Sequence, residues 1–271
     1  MIVAKLLRNI FKYGFLNIAA FVSIFPFAWM IIGATNSATD IMKGKYTFGT
    51  ELIGNFQKLN EMIDLPLLFW NSTKIAVGGM VLQLLIASLA GYGFEIYRNK
   101  ISEKVYGVLL LTMMVPFAAL MIPLFRMFAG AGMLDSHIGV IIPTLAMPFM
   151  IFFFRQNTKT FPSDLMYAAR VDGLSEIQIF FRIYVPTMKA TYAAAGILSF
   201  MTFWNSYLWP LIILQSERQK TLTLAISSLS SAYFPEYGVI MVAIIIATAP
   251  TLIVFFLLQK HFVAGMLGSI K

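Results

Sequence analysis

The hydrophobic positions of the chain form six long apolar runs that are separated by shorter polar segments. The runs cover residues 14–34, 75–94, 105–125, 136–154, 190–210 and 237–258. Each run has 19 to 22 residues and contains no Lys, Arg, Asp or Glu, and about 20 such residues cross a hydrocarbon core of about 30 Å. The pattern predicts an all-α integral membrane protein with six transmembrane helices in a single domain, residues 1–271. A cleavable signal peptide fits the first run poorly because that run is too long.

The composition agrees with a membrane protein. Apolar residues make up 59% of the chain and charged residues only 12%, and the mean hydropathy is +0.80, all far from the values of soluble domains. The absence of cysteine excludes disulfide bonds and thiolate metal sites.

The charges predict the orientation of the chain. With the N-terminus inside, the inner segments 1–13, 95–104, 155–189 and 259–271 hold 13 of the 20 Lys and Arg residues but 5 of the 12 acidic residues. The excess of basic residues favours this arrangement, with both termini cytoplasmic. The net charge of +8 is therefore explained by topology and not by nucleic-acid binding.

Two features of the runs concern helix packing. Ala87 and Gly91 stand four residues apart, a spacing of small residues that lets membrane helices approach closely. Prolines inside or beside five of the runs predict kinks, which suit both a moving pathway and a simple packed bundle. These prolines are Pro26, Pro116, Pro123, Pro143, Pro148, Pro210 and Pro250.

Two segments outside the runs have some predicted structure. The N-terminal segment with Lys5, Arg8 and Lys12 fits a short amphipathic helix at the inner surface. The outer segment 35–74 predicts a loop with a short helix near 56–63, either a partner contact or a plain connection.

The chemistry missing from the runs limits the possible functions. Ion-coupled carriers usually bury titratable groups at membrane depth, whereas here the one candidate is His137, at an outer end where an interfacial or capping role is favoured. Sodium sites built from carbonyls and hydroxyls leave a carrier open as an alternative. The sequence lacks a potassium-filter motif and the HExxH, GxSxG and Walker A motifs. We expect no catalytic residue, no metal site and no cofactor in this chain, so energy for uphill transport would come from another subunit.

The docking segment, residues 155–189, is the longest inner loop. Ser163 and Asp164 fit a helix start, and Gly173 fits a left-handed stop after Val171. Ser175 then begins a second helix that is predicted to end near Tyr184, with Gln178 placed for a capping box.

The spacing within the first of these helices places small residues together. Leu165, Ala168, Ala169 and Asp172 share one side, where the two alanines would let another protein approach the backbone. A helical hairpin lying on the inner membrane surface is the alternative, and spacing alone does not separate the two.

The docking segment closely resembles the EAA signature of permease subunits of ABC importers. Residues near positions 190–195, 204–210 and 259–268 resemble the carbohydrate branch, and specifically the smaller permease of maltose- and lactose-type systems. The matching positions of the signature are Ala168, Ala169, Asp172, Gly173, Leu174, Phe180, Phe181, Arg182, Ile183 and Pro186. One position departs from the family pattern, because Tyr167 stands where Glu is usual.

The resemblance implies a function and a set of partners. It implies half of the translocation pathway of an ATP-driven sugar importer in the cell membrane, with a homologous second permease, two cytoplasmic ATPase subunits and an extracytoplasmic solute-binding protein. ATP and Mg would be bound by the ATPase, and movement of the docking segment would rock the helices. The implied coupling residues are Tyr167, Ala168, Ala169, Arg170, Asp172, Gly173, Leu174, Phe180, Arg182 and Pro186. At Tyr167, aromatic packing together with Arg170 and Asp172 would replace the charged contact of Glu.

A sugar pathway is suggested by the outer third of the fifth run. Trp204, Asn205 and Tyr207 are candidates because aromatic faces stack on sugars and amides bond hydroxyls. An aromatic belt at the membrane interface is the favoured interpretation for Tyr207 and Trp209. We expect Asn205 to be buried among apolar residues and to face the bundle, either in a helix–helix contact or beside the pathway.

Two other functions stay open at the level of sequence. One is a permease of the same type for a polyol, glycerol phosphate or another non-sugar solute. The other is a self-contained secondary carrier, which would purify without an ATPase.

Overall fold

The structure is a computed structural model that describes residues 2–267, with side chains for residues 8–260. The regular elements of this part of the chain are helices, without a strand, which confirms the predicted all-α class. The side chains of the C-terminal motif from residue 261, and residue 268 itself, lie outside the described part. In chain order the helices are α1 (Ile2–Ala34), α2 (Ala38–Met42), α3 (Leu52–Met62), α4 (Leu65–Ile96), α5 (Lys100–Thr112), α6 (Phe117–Gly130), α7 (His137–Ile141), α8 (Pro148–Thr158), α9 (Ser163–Val171), α10 (Glu176–Ile179), α11 (Val185–Thr187), α12 (Lys189–Trp204), α13 (Leu208–Ile213), α14 (Leu222–Ser230) and α15 (Tyr237–Leu267).

Three of the described helices are long and apolar enough to cross a membrane unbroken: Arg8–Ala34 within α1, α4, and Tyr237–Lys260 within α15. Two further pairs of helices reach that length only together. The pair α5 and α6 bends by 101°, and the pair made of α8 and the segment His137–Thr144 bends by 49°. By length and composition the structure therefore has three to five spans, and the count of six stays a prediction.

Proline explains the two bends. Pro116 is the N-cap of α6 and Pro148 is the first residue of α8. Proline has no N–H and disfavours helical conformation in the residue before it, so a helix tends to end there and restart. The kinks predicted at these two positions are real breaks in the helix.

The fifth apolar run is also broken, which the sequence pattern did not predict. Helix α12 ends at Trp204, and α13 begins at Leu208. The prediction of one continuous helix over 190–210 is therefore wrong at residues 205–207, where the side chain of Asn205 turns back to donate a hydrogen bond to Met201 O at 2.9 Å.

The residues group into two compact units, one of residues 2–65 with 225–249 and one of residues 66–224 with 250–267. The first unit contains residues 35–65 of the outer segment predicted as a loop; the predicted end of that segment at residue 74 is wrong, because α4 begins at Leu65. Its helix α3 confirms the short helix expected there, although it begins four residues earlier. Asn55 in α3 donates to Ala34 O at 2.9 Å and to Asn36 O at 3.0 Å. Because the Asn55 amide is buried and bonded, this segment is a folded part of the unit.

The second unit is built around α4. At Gly91 the two helices α4 and α8 approach so closely that a Cβ atom would lie 2.7 Å from the backbone nitrogen of Arg155. Ala87, one turn earlier, is fully buried. The close approach predicted from this pair of small residues is confirmed.

A buried amide adds directional contacts to the same unit. Gln83 of α4 donates to Thr144 O, and Ser199 of α12 donates to Gln83 Oε1 at 2.7 Å. Polar groups in apolar surroundings must be bonded, so this bridge fixes the relative position of three segments.

Candidate functional site

The docking segment folds as two helices joined by a tight turn. Gly173 has φ +80°, the Gly173 amide donates to Arg170 O at 3.1 Å and the Leu174 amide donates to Ala169 O at 3.0 Å. This pair of bonds is the Schellman motif, which requires a residue that tolerates the left-handed conformation. The predicted stop at Gly173 is therefore confirmed.

The starts of the two helices were predicted with different success. Ser175 and Gln178 form the predicted capping box, with the Ser175 amide donating to Gln178 Oε1 at 2.8 Å and the Gln178 amide donating to Ser175 Oγ at 3.4 Å. By contrast, Ser163 is the first helical residue of α9. The N-cap is Pro162, which makes no side-chain cap bond, so the predicted cap at Ser163 is wrong.

The second helix continues further than expected. A π-helical turn, Phe180–Tyr184, joins α10 to α11, and the Val185 amide donates to Phe180 O. The predicted end near Tyr184 is therefore wrong by three residues. The wider turn stands directly before Pro186, whose ring would clash with the preceding turn of a regular α-helix.

A cluster of apolar side chains holds the docking segment against the end of α4. Tyr184 is fully buried in this cluster, and its ring packs on Tyr92 with centroids 4.8 Å apart. Burial raises the pKa of the Tyr184 hydroxyl above its ordinary value, so this group stays neutral. The members are Tyr92, Phe161, Met166, Ala169, Ile179, Phe180, Tyr184 and Met188.

The cluster corrects one sequence-based expectation. Ala169 is 3% exposed, and so is not on the outer side of α9. Ala168 is exposed, together with Leu165 and Asp172. The two alanines thus have different surroundings: Ala169 lets α9 pack on its own subunit, and only Ala168 is open to a partner.

The outward side of the segment, here called the docking face, is apolar for a loop surface. Val171 is 88% exposed and Ile177 is 71% exposed, and large apolar side chains so open to solvent on a polar segment are unusual. The face consists of Leu165, Tyr167, Ala168, Val171, Asp172, Gly173, Ile177 and Phe181.

A charged bridge fixes the turn between the two helices. Arg170 Nε donates to Glu176 Oε1 at 2.8 Å, and the Tyr97 hydroxyl donates to the other carboxylate oxygen. The hydrogen bond from Arg170 lowers the pKa of Glu176 from its usual value. The bond to Glu176 likewise raises the pKa of Arg170. Arg170 is thus engaged inside its own chain, whereas the remaining predicted residues Arg182 and Pro186 are exposed and Leu174 is half-buried.

The second unit also contains a cavity of about 680 Å³. Residues from all three helix breaks line it: the breaks at 113–116, 145–147 and 205–207. Interrupted membrane helices expose backbone polar groups only where they face protein or a cavity. The lining is otherwise mainly apolar, as is common in sites for organic ligands. The lining residues are Thr112, Met113, Val115, Phe117, Leu120, Val140, Pro143, Thr144, Ala146, Met147, Pro148, Phe149, Thr202, Phe203, Asn205, Ser206, Tyr207, Leu208 and Trp209.

Two of the three predicted pathway residues line the cavity, and the third does not. Asn205 and Tyr207 line it, and Asn205 is exposed, so the expectation that Asn205 would be buried is wrong. Trp204 is buried and is not one of the lining residues; its ring stacks on Phe200 with centroids 5.5 Å apart.

The belt interpretation also fails at one position. Trp209 is buried, and its indole Nε1 donates to Gly139 O at 3.0 Å. A belt residue would keep its polar edge in the membrane interface. Trp209 instead joins α13 to α7 beside the cavity. His137 is bonded through Nε2 to Gln219 O at 3.1 Å, and the cap of α7 is Ser136, so the capping role expected of His137 is wrong.

Sequence reasoning missed Arg155. Its side chain is buried at the end of α8, with its Nε 3.0 Å from Glu95 Oε2 and its Nη2 bonded to Glu103. A signal was present, because a single arginine directly follows the apolar run 136–154 and Glu95 directly follows the run 75–94.

Among the described residues, no group of three or more His, Cys, Asp or Glu side chains could hold a metal ion.

Known proteins resemble this chain along nearly its whole length. A family model described as the binding-protein-dependent transport system inner membrane component matches residues 74–268. The chain is 58% identical over 265 residues to the lactose transport system permease protein LacG of Rhizobium radiobacter, covering 98% of this chain and 97% of that protein. It is 39% identical over 204 residues to the arabinooligosaccharides transport system permease protein AraQ of Bacillus subtilis, covering 75% of this chain and 73% of that protein.

A solved structure has a similar fold. It is the crystal structure of a bacterial ABC transporter involved in the import of the acidic polysaccharide alginate. One of its chains matches with a TM-score of 0.82 at 21% identity, over 96% of this chain and 98% of that chain. At 21% identity this likeness supports the fold alone.

Proposed function

Because this chain belongs to the family of inner membrane components of binding-protein-dependent transport systems, we propose that it is the permease subunit of an ATP-driven sugar importer. The observation that carries the proposal is the 58% identity, over nearly the full length, to a lactose permease. Sugars are also favoured by the second relative, whose named solutes are arabinooligosaccharides.

We assign this subunit half of the translocation pathway and no ATP site of its own. A homologous permease would supply the other half, two cytoplasmic ATPase subunits would hold ATP and Mg, and an extracytoplasmic binding protein would deliver the sugar. We retain six spans with cytoplasmic termini, because the excess of basic residues on the inner segments supports that topology. In this arrangement α12 and α13 together would make the fifth span.

The docking face is proposed to bind the ATPase. Most of its side chains are apolar, and the Arg170–Glu176 pair and the cluster under Ala169 hold it in place. A rigid surface transmits movement better than a loose one, so closure of the ATPase around ATP would shift the helices between inward-facing and outward-facing states. Tyr167 then contributes an aromatic ring to this contact.

The cavity is proposed as this subunit's part of the sugar pathway. Asn205 can exchange hydrogen bonds with hydroxyl groups, and Tyr207 offers an aromatic edge or face beside it. The remainder of the wall is mainly apolar and offers a sugar few hydrogen bonds, which suits a site that must release what it transports.

Purification and reconstitution test the function. The tagged chain should co-purify with an ATPase and a second membrane subunit, and proteoliposomes of that complex should take up lactose or an arabinooligosaccharide only with ATP and the binding protein. Transport by this chain alone, without ATP, would establish a carrier instead. Uptake of glycerol phosphate by the same proteoliposomes, with no uptake of either sugar, would assign the complex to a non-sugar solute.

Asn205→Leu tests the pathway. One hydrogen bond to an uncharged group contributes about 0.5–1.5 kcal/mol, so we expect uptake to fall by a factor of about 2 to 10 while the ATPase still co-purifies. Asn60→Leu is the matched control, because Asn60 is an exposed amide of α3 outside the cavity lining. Equal uptake by the two variants and the wild type would remove Asn205 from the pathway.

A further inference from the structure

A cluster of charges surrounds the buried Arg155 where α8 meets α4 and α5. Arg155, in the last turn of α8, is 3% exposed. It bonds Glu95 near the end of α4 and Glu103 in the first turn of α5, and its guanidinium lies 3.9 Å from the centre of the Tyr106 ring. Arg98 completes the cluster by bonding Glu103 at 2.8 Å. The cluster is neutral overall, with two cations and two carboxylates.

Stability alone is a weak explanation for this arrangement. A buried ion pair commonly contributes no more to stability than well-packed apolar side chains of similar volume would. What Arg does provide is geometry, because its planar group donates several hydrogen bonds in fixed directions. Arg155 uses two of its nitrogen atoms to hold carboxylates from two different helices.

Residues 155–158 of the docking segment form the last turn of α8, which bonds the second helix of that segment just beyond Arg155. The hydroxyls of Thr158 and Tyr184 are 2.6 Å apart, and both side chains are buried. Asn157 accepts a hydrogen bond of 3.4 Å from Thr191 at the start of α12. The C-terminal turn of α8 is therefore joined to the π-helical turn of the docking segment and to α4, α5 and α12.

The other end of α8 lies at the cavity. Pro148 and Phe149, in its first turn, line the cavity together with Met147. At a rise of 1.5 Å per residue, the 11 residues of α8 extend over about 16 Å. One short, rigid helix thus connects the docking segment to the cavity wall.

We infer that α8 transmits movement of the docking segment to the cavity, and that Arg155 is the positioning residue that makes α4 and α5 move with it. The inference rests on the proposed function, because it assumes that the ATPase moves the docking segment. Since α5 leads directly into the break at 113–116, the charged cluster gives the same movement a second route to the cavity.

The test is Arg155→Met in the full complex, compared with Arg98→Met as a matched control. Both changes remove an arginine that bonds Glu103, but Arg98 is mostly exposed and bonds no residue of α8. For Arg155→Met we expect assembly and basal ATP hydrolysis within about twofold of wild type. Sugar uptake and the stimulation of hydrolysis by sugar-loaded binding protein should fall at least about tenfold. Arg98→Met should behave like wild type in all four measurements.

Two results would overturn the inference. One is that, in Arg155→Met, the stimulation of hydrolysis and the uptake of sugar fall only in proportion to the amount of assembled complex. That result would identify a structural role for Arg155. The other applies if Arg155→Met does not assemble, and then uses Glu103→Gln, a change at a partly exposed position. This variant should lower the stimulation of ATP hydrolysis about threefold. Normal stimulation in an assembled Glu103→Gln complex would contradict the positioning role of Arg155. Failure of the proposed function is recognised separately, because wild-type complex would then lack bound ATPase.

Discussion

Gly173→Val is expected to lower ATP-driven uptake at least about tenfold while membrane insertion is unchanged. Gly173 adopts φ +80°, and its amide and that of Leu174 bond the last turn of α9. A β-branched residue is a strong outlier at such a φ, and strain of this kind costs about 1–3 kcal/mol. Because α9 has only nine residues, it has little stability of its own with which to offset that cost. We expect the turn between the two helices to open and the docking face to lose its arrangement.

The control for this change is Gly173→Asn. Asparagine tolerates the left-handed conformation far better than valine does, and a Cβ atom at this position would meet nothing within 4 Å in the subunit itself. We expect the Asn variant to keep most of its uptake, measured at equal amounts of complex. If Asn is as damaging as Val, the bare backbone of Gly173 is needed for contact with a partner, and if neither variant loses uptake, the docking role is refuted.

Local signals explain what could be predicted in the docking segment. The stop at Gly173 and the capping box at Ser175 depend on residues within five positions of each other, and both were predictable. The burial of Ala169 depends on Tyr92, which is distant in the chain. Helical spacing shows which residues share a side, but it does not show which side faces the rest of the protein.

The cavity shows a similar limit. Hydropathy identifies apolar runs by composition, and proline marked the breaks before Phe117 and at Pro148. The break at 205–207 has no proline within it and was missed, and with it the exposure of Asn205. Whether the three helix breaks lie around one cavity depends on tertiary packing, and hydropathy along the sequence gives no information about that packing.

Arg155 was missed for a related reason. Counting basic residues to find the inner side treats Arg155 like any solvated lysine of a loop. Its carboxylate partners come 60 and 52 residues earlier in the chain, so no local motif marks the cluster. Its position directly after an apolar run was the one usable indication.

Ala168→Arg is expected to remove the ATPase from the complex. Ala168 is exposed on the docking face, one turn from the apolar side chains of Leu165 and Val171. Arginine would place a long side chain in the proposed contact and hold the ATPase away from the backbone of α9. The contact would also have to bury the cation, and burying a charge is unfavourable even with a carboxylate such as Asp172 one turn away. We therefore expect at least about a hundredfold loss of uptake, together with loss of the co-purifying ATPase, while the variant chain still inserts.

Two further arginine variants separate docking from folding. Ala169→Arg places the same side chain in the buried cluster, so it should reduce the amount of folded protein, measured by detergent-solubilised yield and thermal stability. Ala131→Arg adds the charge at an exposed position of the predicted outer segment 126–135 and should leave ATPase binding and uptake unchanged. Normal ATPase binding by Ala168→Arg would exclude the docking face as the contact, because the long side chain would have to lie between α9 and the ATPase.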